Sequence, residues 1–363
     1  MTLASAVVGA GTVSEVHLSG LDSCPRTDLV AVCDIDEGLA RDAAREYGVT
    51  PYFDLETMLE AESLDWVHVC TSVQSHLPLA RTVLEAGVPV LVEKPVTRNR
   101  DEYERLVAAS EDASVPFSVV HNHLYDPVMR VARDRIAGGD VGPIRGVDLV
   151  YSGLTSPDAR HRGSWVFDLG GGEFTEGLPH PLYAAVDLAG RPASPDAVSV
   201  QTSLSREYEQ EFAYDSAQVQ YRSADGALCS VMMLSGNVPQ RLLQVHGEDR
   251  TLVIDRVSQT LSTLSRDYTG SKVGAVLNTA DRVTGQAVGT VKNAVAVARS
   301  TIGDGWETRR DLTPHYYQFE VEARALQRGE HPDPAVEERA RWTITLLDAI
   351  EATATSGGAT GSS

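Results

Sequence analysis

Leu91-Val92-Glu93-Lys94-Pro95-Val96 ends an apolar run that begins at Val88. Uninterrupted apolar sequence of this kind is typical of a strand buried in a parallel sheet. The charged pair Glu93-Lys94 and a proline then stop the strand. Because ligands of open α/β sheets bind at the carboxyl ends of the strands, the pattern predicts that Lys94 lies at a functional site.

A glycine turn lies near the start of the chain. An apolar strand over residues 3–9 leads into Gly9-Ala10-Gly11-Thr12-Val13-Ser14, and helical sequence follows. A strand, a glycine turn and a helix form the unit that holds a dinucleotide pyrophosphate at the helix N-terminus. Ser14, also a small residue, replaces the third glycine of the fingerprint. The candidate cofactor-binding residues of the turn are Gly9, Gly11, Thr12 and Val13.

Asp34 ends the next apolar strand, residues 29–33. It follows the glycine turn by about 20 residues, where an acid accepts hydrogen bonds from the adenosine ribose. Ile35 and Asp36 come next, with no Arg or Lys to neutralise a 2′-phosphate, so the sequence favours NAD over NADP. The alternative role of Asp34 is to cap a helix that starts near Glu37.

The order of strands and helices predicts two domains. Strands alternate with helices up to residue 120, which indicates a Rossmann-type, doubly wound parallel sheet in a domain of residues 1–120. The periodicity then changes, and consecutive strands predict an α+β domain with a large, mostly antiparallel sheet over residues 121–352. The candidate strands of that sheet are 144–153, 197–204, 209–222, 226–234 and 241–246.

Two C-terminal segments stand apart from this pattern. Residues 271–302 carry apolar side chains at helical spacing, interrupted by Gly285 and Gly289, and predict an inserted helix, whole or broken. We expect it to pack on the sheet or on a second subunit, with a membrane surface as the remaining alternative. A final helix is predicted over 334–352, followed by a disordered tail, 353–363.

The charge balance limits the partners. The chain has 31 basic and 51 acidic residues, a formal net charge of −20. Such a chain is not expected to bind nucleic acid or an anionic membrane. Its self-repulsion is relieved when salt shortens the Debye length, to ~3 Å at 1 M, so the composition, with Lys94, Lys272 and Lys292 as its only lysines, favours a halophilic protein. An ordinary acidic protein from a GC-rich genome is the alternative.

Location and metal content are also predicted from composition. No N-terminal apolar segment and no apolar run of about 18 residues occurs, which favours the cytoplasm. The four cysteines have no metal-ligand spacing, so we expect buried thiols and no metal.

Together these motifs resemble the Gfo/Idh/MocA family, the glucose–fructose oxidoreductases and inositol dehydrogenases. The resemblance rests on the glycine turn, the acid after the second strand, Glu93-Lys94-Pro95, and residues 170–180, Gly-Gly-Gly-Glu-Phe-Thr-Glu-Gly-Leu-Pro-His. It covers nearly the whole chain apart from 271–302 and the tail. It implies an NAD-dependent oxidoreductase with a small, sugar-like substrate. An exposed sheet face in such a second domain also leads us to expect a homodimer or homotetramer.

The resemblance implies roles for single residues. Lys94 corresponds to the family's active-site lysine, and the Lys94–Pro95 peptide to one that is often cis. His180 takes the place of the catalytic histidine, and Asn122 that of an asparagine near the nicotinamide and the substrate.

A second match lies close to the dinucleotide. Thr71 and His76 correspond to residues of a stretch there, although Ser72 and Val73 replace its usual Pro and Asn. The remaining residues of the predicted cofactor set are Glu93, Lys94 and Asn122.

Two acids of the family pattern differ here. Glu176 stands where many members have Asp, with Gly177 one residue earlier than their glycine, and Tyr183 stands where they have a second Asp. Tyr183 either donates to a substrate hydroxyl or packs. Nearby, Arg160, His161 and Arg162 are expected in a solvated loop, with binding of a charged substrate group as the alternative.

The predicted chemistry is hydride transfer to or from a secondary alcohol carbon, with a protein base for the hydroxyl proton. His180 is the candidate base because imidazole titrates near neutral pH. Glu176, four residues earlier, would share its helix face and orient the substrate or the ring. Lys94 would stabilise negative charge on the reacting oxygen or relay the proton. The candidate substrate-binding residues are Lys94, Asn122, Glu176, His180 and Tyr183.

Three alternatives stay open at this point. Glu93 is more simply explained as a partner of backbone amides than as a catalyst. The enzyme could use NAD without net redox change, as a sugar lyase or glycosidase. A non-catalytic NAD-binding regulator is the third, although such a protein needs neither Lys94 nor His180.

Overall fold

The computed structural model describes residues 2–236, 238–265, 272–302 and 305–357. The chain forms two compact units. The first consists of Met1–Tyr125 and Asp304–Ile344, and the second of Asp126–Gly303 and Thr345–Ser363.

The first unit contains a six-stranded parallel sheet in the order β3-β2-β1-β4-β5-β6. The order reverses between β1 and β4, which is where open α/β sheets bind ligands. Its elements up to residue 119 are β1 Leu3–Val8, α1 Ser14–Ser23, β2 Thr27–Cys33, α2 Glu37–Tyr47, β3 Thr50–Tyr52, α3 Leu55–Ala61, β4 Trp66–Val69, α4 Val73–Glu85, β5 Val90–Val92, α5 Arg100–Ala113 and β6 Phe117–Val119. The predicted doubly wound sheet is confirmed.

The second unit contains a seven-stranded sheet in the order β13-β12-β11-β7-β10-β9-β8. Among the described strands, β7 and β10 form its one parallel pair. The elements are α6 Pro127–Ala137, β7 Ile144–Leu154, α7 Glu173–Gly177, α8 Pro179–Ala189, β8 Val198–Ser203, β9 Ser216–Arg222, β10 Leu228–Ser235, β11 Gln240–Gly247, β12 Arg250–Asp255, β13 Thr260–Ser265 and α9 Lys272–Ile302. The predicted mostly antiparallel sheet is confirmed.

The strands predicted from the sequence need correction in two respects. Residues 209–215 precede β9 and are not part of it, and β12 and β13 were not predicted. In β12, Leu252 and Ile254 are buried, but Arg250 and Asp255 are not. Such short strands gain their stability from pairing with neighbours, which local sequence does not reveal.

The inserted segment is one continuous helix, α9. A Cβ on Gly285 would lie 3.1 Å from the Leu261 carbonyl oxygen, and one on Gly289 would lie 2.8 Å from a Thr260 methyl. The two glycines therefore do not break the helix; they let it approach β13 closely. This supports packing on the sheet. No described helix is both long and apolar enough to cross a bilayer.

The C-terminal helices are α10 Trp306–Leu312, α11 Pro314–Leu326 and α12 Val336–Gly357. Tyr316, Phe319 and Ala323 of α11 belong to the core cluster that holds Leu18 of α1 and Val7 of β1. Residues 304–344, assigned to the second domain from sequence, thus belong to the first unit. The reason is a contact between segments about 300 residues apart, which periodicity does not detect.

The final helix also runs further than predicted. It ends at Gly357, five residues beyond 352, so residues 353–357 are helical and not a disordered tail. Thr353 and Thr355 each donate a side-chain hydrogen bond to a carbonyl of the preceding turn. The predicted tail beyond Gly357 lies outside the described residues.

Candidate active site

Gly9 forms the bend between β1 and the glycine turn. Its φ is +99°, and a Cβ there would lie 2.8 Å from the Cys70 carbonyl oxygen at the end of β4. Its amide donates to the Cys33 carbonyl at the end of β2, at 2.8 Å. Only glycine meets both the conformation and the contact, so this residue draws three strand ends together.

The turn then opens towards the N-terminus of α1. No atom lies within 4 Å of the position that a Cβ on Gly11 would take. Val13 occupies the N-cap position, and its side chain makes no capping hydrogen bond to α1. Buried Ser14 instead donates from Oγ to the Gly11 carbonyl at 2.5 Å. Open space in front of helix amides without a side-chain cap suits the pyrophosphate of a dinucleotide.

Asp34 follows β2 and closes the turn. Its two carboxylate oxygens accept from the amides of Ala10 and Asp36, at 2.7 and 2.8 Å. Asp36, not Asp34, caps α2, since its carboxylate accepts from the Gly38 and Leu39 amides. The alternative role of Asp34 as a helix cap is therefore wrong. Its remaining acceptor capacity is available to a ribose.

Thr71 and His76 lie at the end of β4. Buried His76 bridges two carbonyl oxygens, that of Pro95 through Nδ1 at 2.9 Å and that of Thr71 through Nε2 at 3.0 Å. Burial lowers the pKa of His76, although the two carbonyls oppose this effect. His76 thus connects the loops after β4 and β5. Thr71 Oγ1 accepts from Ser75 Oγ at 2.9 Å.

Glu93 and Lys94 follow β5, and the Lys94–Pro95 peptide is cis, as the resemblance implied. Both side chains are buried. Glu93 accepts from the Lys94 amide at 3.0 Å and contacts His17 Nε2 at 3.0 Å. The explanation of Glu93 as a partner of a backbone amide is confirmed for the Lys94 amide.

The ionisation of Glu93 is controlled by these neighbours. Burial alone would raise the pKa of Glu93, but the hydrogen bond from His17 and the charges of His17, Lys94 and His315 lower it to about 2. His17 Nδ1 lies 2.9 Å from His68 Nδ1, so a buried histidine pair continues the network away from Lys94. Sequence reasoning did not identify this pair.

Asn122 lies in a short 3₁₀ turn after β6, Asn122–Tyr125, and is buried. The preceding His121 accepts at Nδ1 from Arg339 Nε, at 2.9 Å. Within the first unit the predicted residues therefore gather at the carboxyl ends of adjacent strands. The ends carry Gly9 to Val13 after β1, Asp34 after β2, Thr71 after β4, Glu93 and Lys94 after β5, and Asn122 after β6.

In the second unit the three glycines before α7 serve close packing. A Cβ on Gly172, whose φ is +56°, would lie 2.2 Å from the Pro157 carbonyl oxygen. A Cβ on Gly170 would meet the Glu351 carboxylate, and one on Gly171 the Thr175 hydroxyl. The run thus allows the segment before α7 to pass closely between its neighbours.

A polar network behind these glycines was missed from sequence. Thr175 Oγ1 and Tyr214 OH are 2.7 Å apart, and Tyr214 OH donates to Glu351 Oε1 at 2.7 Å. Burial raises the pKa of Glu351, and the two hydroxyl contacts oppose it. The three residues come from distant parts of the chain, so no local signal exists for the network.

His180 and Tyr183 lie on α8 and contact each other, with His180 Nδ1 2.9 Å from Tyr183 OH. Tyr183 is fully buried. The contact gives Tyr183 a polar role in addition to the packing role considered from sequence.

Glu176 lies on α7, and Leu178, in helical conformation, connects α7 to α8. Glu176 Oε1 is 3.6 Å from Arg162 Nε. The adjacent Glu173 accepts from the His161 amide at 2.7 Å and contacts its Nδ1 at 3.0 Å. The loop with Arg162 and His161 is therefore attached to α7 by two carboxylates.

Arg256, also missed from sequence, lies in the interior of the second unit with 7% of its side chain exposed. It pairs with Asp126 and donates from NH1 to Tyr151 OH at 2.8 Å. Burial alone would lower the pKa of Arg256, but the surrounding groups raise it, so the side chain stays cationic. These groups are Tyr151, Asp126 and Tyr183.

The described residues contain no group of three or more His, Cys, Asp or Glu side chains arranged to hold a metal. The four cysteines are free and buried. Lys94 belongs to the first unit, and His180, Glu176 and Tyr183 belong to the second.

Comparison with known families gives two matches. Residues 3–121 match the oxidoreductase family with an NAD-binding Rossmann fold, GFO/IDH/MocA, and residues 129–253 match the GFO/IDH/MocA C-terminal domain. Together they cover about two thirds of the chain. The expected NAD-binding Rossmann domain is confirmed.

Two curated relatives illustrate the likeness. The chain is 32% identical to D-apiose dehydrogenase of Paraburkholderia graminis over 38% of its own length and 37% of that protein. It is 23% identical to inositol 2-dehydrogenase of Rhizobium meliloti over 68% of its own length and 74% of that protein. The first match therefore spans little more than a third of the relative.

Among solved structures, the WlbA dehydrogenase from Bordetella pertussis, in complex with NADH and UDP-GlcNAcA, is similar with a TM-score of 0.72. Sequence identity is 21%, over 98% of this chain and 96% of that one. At this identity the likeness establishes the fold.

Proposed function

The chain belongs to the GFO/IDH/MocA family of NAD-binding oxidoreductases, and on that basis we propose that it transfers a hydride between NAD and a secondary alcohol or ketone of a sugar, polyol or sugar derivative. The observation that carries the proposal is the placement of buried Lys94 at the end of β5, in the same row of strand ends as the glycine turn. The relatives named D-apiose dehydrogenase and inositol 2-dehydrogenase support this substrate class.

The nicotinamide supplies the hydride chemistry when it is bound. Gly9, Gly11 and the N-terminus of α1 bind the pyrophosphate, and Asp34 binds the ribose. Lys94 holds the reacting oxygen and stabilises negative charge that develops there. His180 exchanges the hydroxyl proton. The remaining roles are binding ones, with Thr12, Val13, Thr71 and Asn122 on the cofactor side and Asn122, Glu176 and Tyr183 on the substrate side.

The second unit contributes the groups that select the substrate. In the loop bearing Arg162 and His161, Glu176 Oε1 lies 3.6 Å from Arg162 Nε and Glu173 contacts His161, so the charge of Arg162 is balanced by a carboxylate of the protein. A neutral sugar or polyol therefore fits this region better than a substrate that needs several arginines.

We also propose a cytoplasmic protein that forms a homodimer or homotetramer. Alternate side chains of β9, Gln218, Gln220 and Arg222, point away from the buried Ala217, Val219 and Tyr221. An exposed face of this kind supports the proposal because it could pack against the same face of a second copy in a self-complementary, two-fold interface.

The proposal is tested by following NADH absorbance with a panel of sugars, inositols and sugar nucleotides, in low salt and in molar KCl. Turnover with one group, lowered about 10³-fold by Lys94→Ala while NAD affinity changes little, is the expected result. Turnover that survives Lys94→Ala would contradict the proposed role.

If no compound of the panel changes the NADH absorbance, two other outcomes decide between the alternatives. NAD binding without NADH formation, but with substrate cleavage or elimination, would replace the dehydrogenase with a redox-neutral enzyme. NAD binding without any conversion would favour a regulator.

A further inference from the structure

A surface cavity of about 620 Å³ lies within the first unit, away from the strand-end residues. Arg26, which comes immediately before β2, forms part of its wall, whereas Asp34 follows the same strand. An extended chain covers roughly 25 Å from Arg26 to Asp34, so the cavity lies at the opposite edge of the sheet from the predicted cofactor residues. The charged and aromatic side chains of its lining are Arg26, Trp306, Glu307, Arg310, Glu320 and Arg324.

The carboxylate of Glu320 joins the cations of this lining. Its side chain is only 7% exposed. It accepts from Arg310 NH1 at 3.1 Å and from Arg324 NH2 at 2.6 Å, and Arg26 Nε lies 3.5 Å from it. Trp306 Nε1 also donates to it, at 2.7 Å. These donors use the acceptor sites of a carboxylate, which number about four.

Glu320 is ionised throughout the neutral pH range. Burial alone would raise the pKa of Glu320, but hydrogen bonds from Trp306 and two of the arginines lower it to about 2. The carboxylate therefore contributes one negative charge against the three guanidinium charges that contact it.

The three guanidinium groups carry more charge than the acids in contact with them. Arg310 has a second acidic partner, Asp311, with NH2 and Oδ1 2.9 Å apart. Arg26 and Arg324 both contact the same oxygen of Glu320, Oε1. Two contacting acids thus face three arginines, and one positive charge of the group is left without a contacting acid.

Arg26 and Arg324 keep N–H groups for a ligand. Within the described part of the chain, Arg324 contacts a protein acceptor through NH2, and 50% of its side chain is exposed. Arg26 uses Nε for Glu320 and NH1 for Gln327, which leaves NH2. Glu307, the remaining acid of the lining, is exposed, so solvent and salt screen its charge.

The wall that carries Trp306 is fixed by contacts with the core of the unit. The ring of Trp306 stacks on Tyr316, which belongs to the core cluster, with the centroids 5.5 Å apart and the planes inclined by 17°. Arg309, on the same helix α10, donates to Ser23 Oγ at 3.0 Å and to Ser19 Oγ at 2.9 Å, both on α1. A ligand therefore does not have to order α10, which lowers the cost of binding.

We propose that this cavity binds a phosphate group between Arg26 and Arg324. Guanidinium groups pair with phosphate oxygens in a bidentate geometry, and two arginines from separate elements can contact one tetrahedral anion. On a chain with a net charge of −20, a fixed group of cations is a local exception that attracts an anion.

The size of the cavity bears on the source of the phosphate. Its volume is that of an ordinary small-molecule site, about 300–1,000 Å³, and exceeds the volume of a bare phosphate ion. Both the free ion and a phosphate ester of a small metabolite fit it. The site is separate from the residues assigned to hydride transfer, so the inference does not depend on the proposed function.

The first experiment is a calorimetric titration of the NAD-saturated protein in low salt with inorganic phosphate and with phenyl phosphate, an ester without a hydroxyl group to oxidise. NAD occupies the pyrophosphate position at the glycine turn, so that position cannot produce the heat. We expect saturable binding of at least one ligand, weakened in molar KCl by screening. The tighter ligand identifies the source of the phosphate. No saturable binding of either ligand would overturn the proposal.

The double variant Arg26→Gln/Arg324→Gln locates the site. It leaves Glu320 bound to Arg310 and Trp306, so the buried carboxylate keeps two donors and the unit should fold. Phosphate affinity should fall about tenfold or more, because charge-assisted hydrogen bonds to the anion are lost. An unchanged affinity would place the phosphate elsewhere and contradict the proposal.

The matched control is Arg45→Gln/Arg81→Gln. These exposed arginines of α2 and α4 pair with Asp42 and Glu85 and do not line the cavity, so the control removes the same two charges from elsewhere in the unit. Its phosphate affinity should stay close to native. An equal loss in both double variants would show an effect of net charge alone and would overturn the cavity site.

A spectroscopic measurement on the native protein does not depend on the folding of the double variant. In ¹H–¹⁵N spectra of the arginine Nε–H groups, assigned with the single variants Arg26→Gln and Arg324→Gln, the signals of these two residues should shift as phosphate is added. Shifts confined to other arginines would overturn the proposal.

Discussion

The strand ends of the first unit and the histidine region of the second position their functional residues in different ways. In the first, each residue follows a strand directly, and short backbone contacts such as Gly9 to Cys33 fix it. In the second, side chains of different elements hold one another: Glu176 lies 3.6 Å from Arg162, and Tyr214 OH donates to Glu351. Backbone-positioned sites are specified by local motifs, whereas side-chain-positioned sites are specified by packing.

The largest effect is expected from a substitution that disrupts the backbone contacts at the strand ends of the first unit. Gly9→Ala places a Cβ 2.8 Å from the Cys70 carbonyl oxygen at a φ of +99°. Strain of this kind costs about 1–3 kcal/mol before the clash is counted. We expect NAD affinity to fall at least tenfold, measured by calorimetric titration.

Gly87→Ala is the matched control, because Gly87 also has positive φ but no neighbour within 4 Å of a Cβ. It should lose stability through backbone strain alone and keep its NAD affinity. Equal losses of NAD affinity in the two variants would remove the special role of Gly9.

The second prediction concerns the long-range contact of the first unit, His17 with Glu93 across 76 residues. Since the folded pKa of Glu93 is about 2 against an ordinary 4.5, the folded state binds this proton less readily than the unfolded chain. The resulting stability is present above pH 4.5 and is lost as pH falls towards 2; it amounts to about 3 kcal/mol at most.

His17→Gln should remove much of this stabilisation and raise the midpoint of acid unfolding, followed by circular dichroism. His315→Gln is the milder control, because His315 Nε2 lies 4.0 Å from the Glu93 carboxylate. A midpoint that moves equally in both variants would contradict the importance of the direct hydrogen bond.

A third, smaller effect tests the side-chain arrangement of the second unit. Glu351→Gln weakens the acceptor for Tyr214 OH and should cost about 1 kcal/mol of unfolding free energy. We expect kcat to fall a fewfold because the segment before α7 loosens, while NAD affinity stays unchanged. A loss of NAD affinity with unchanged kcat would break the contrast between the two regions.

The last prediction concerns the charged surface as a whole, where each residue is expected to contribute only a small part of the effect. We propose that the net charge of −20 adapts the protein to high salt. The melting temperature should then rise by several degrees between low salt and molar KCl, as screening reduces self-repulsion. Osmotically matched sucrose, which does not screen charge, should raise it less. A melting temperature that does not rise with KCl would exclude salt adaptation.

The difference between the two regions also explains which structural features could be predicted from the sequence. Strand periodicity, the glycine turn and the Glu-Lys-Pro stretch predicted both sheets and the placement of Lys94, because each feature is complete within a few neighbouring residues. The same reasoning missed β12 and β13, and it assigned α11 to the second domain, because pairing and core contacts join segments far apart in the chain.

The sequence by itself therefore determined the parallel and antiparallel sheets, the strand-end residues from Gly9 to Asn122, and the family to which the chain belongs. Only the tertiary structure decided that α11 completes the core of the first unit, that α9 lies continuously on β13, and that Arg256 pairs with Asp126 in the interior of the second unit. The physical reason is the distance along the chain between the residues that decide each feature. Backbone conformation follows from adjacent residues, whereas the environment of a buried charge depends on every element that packs around it.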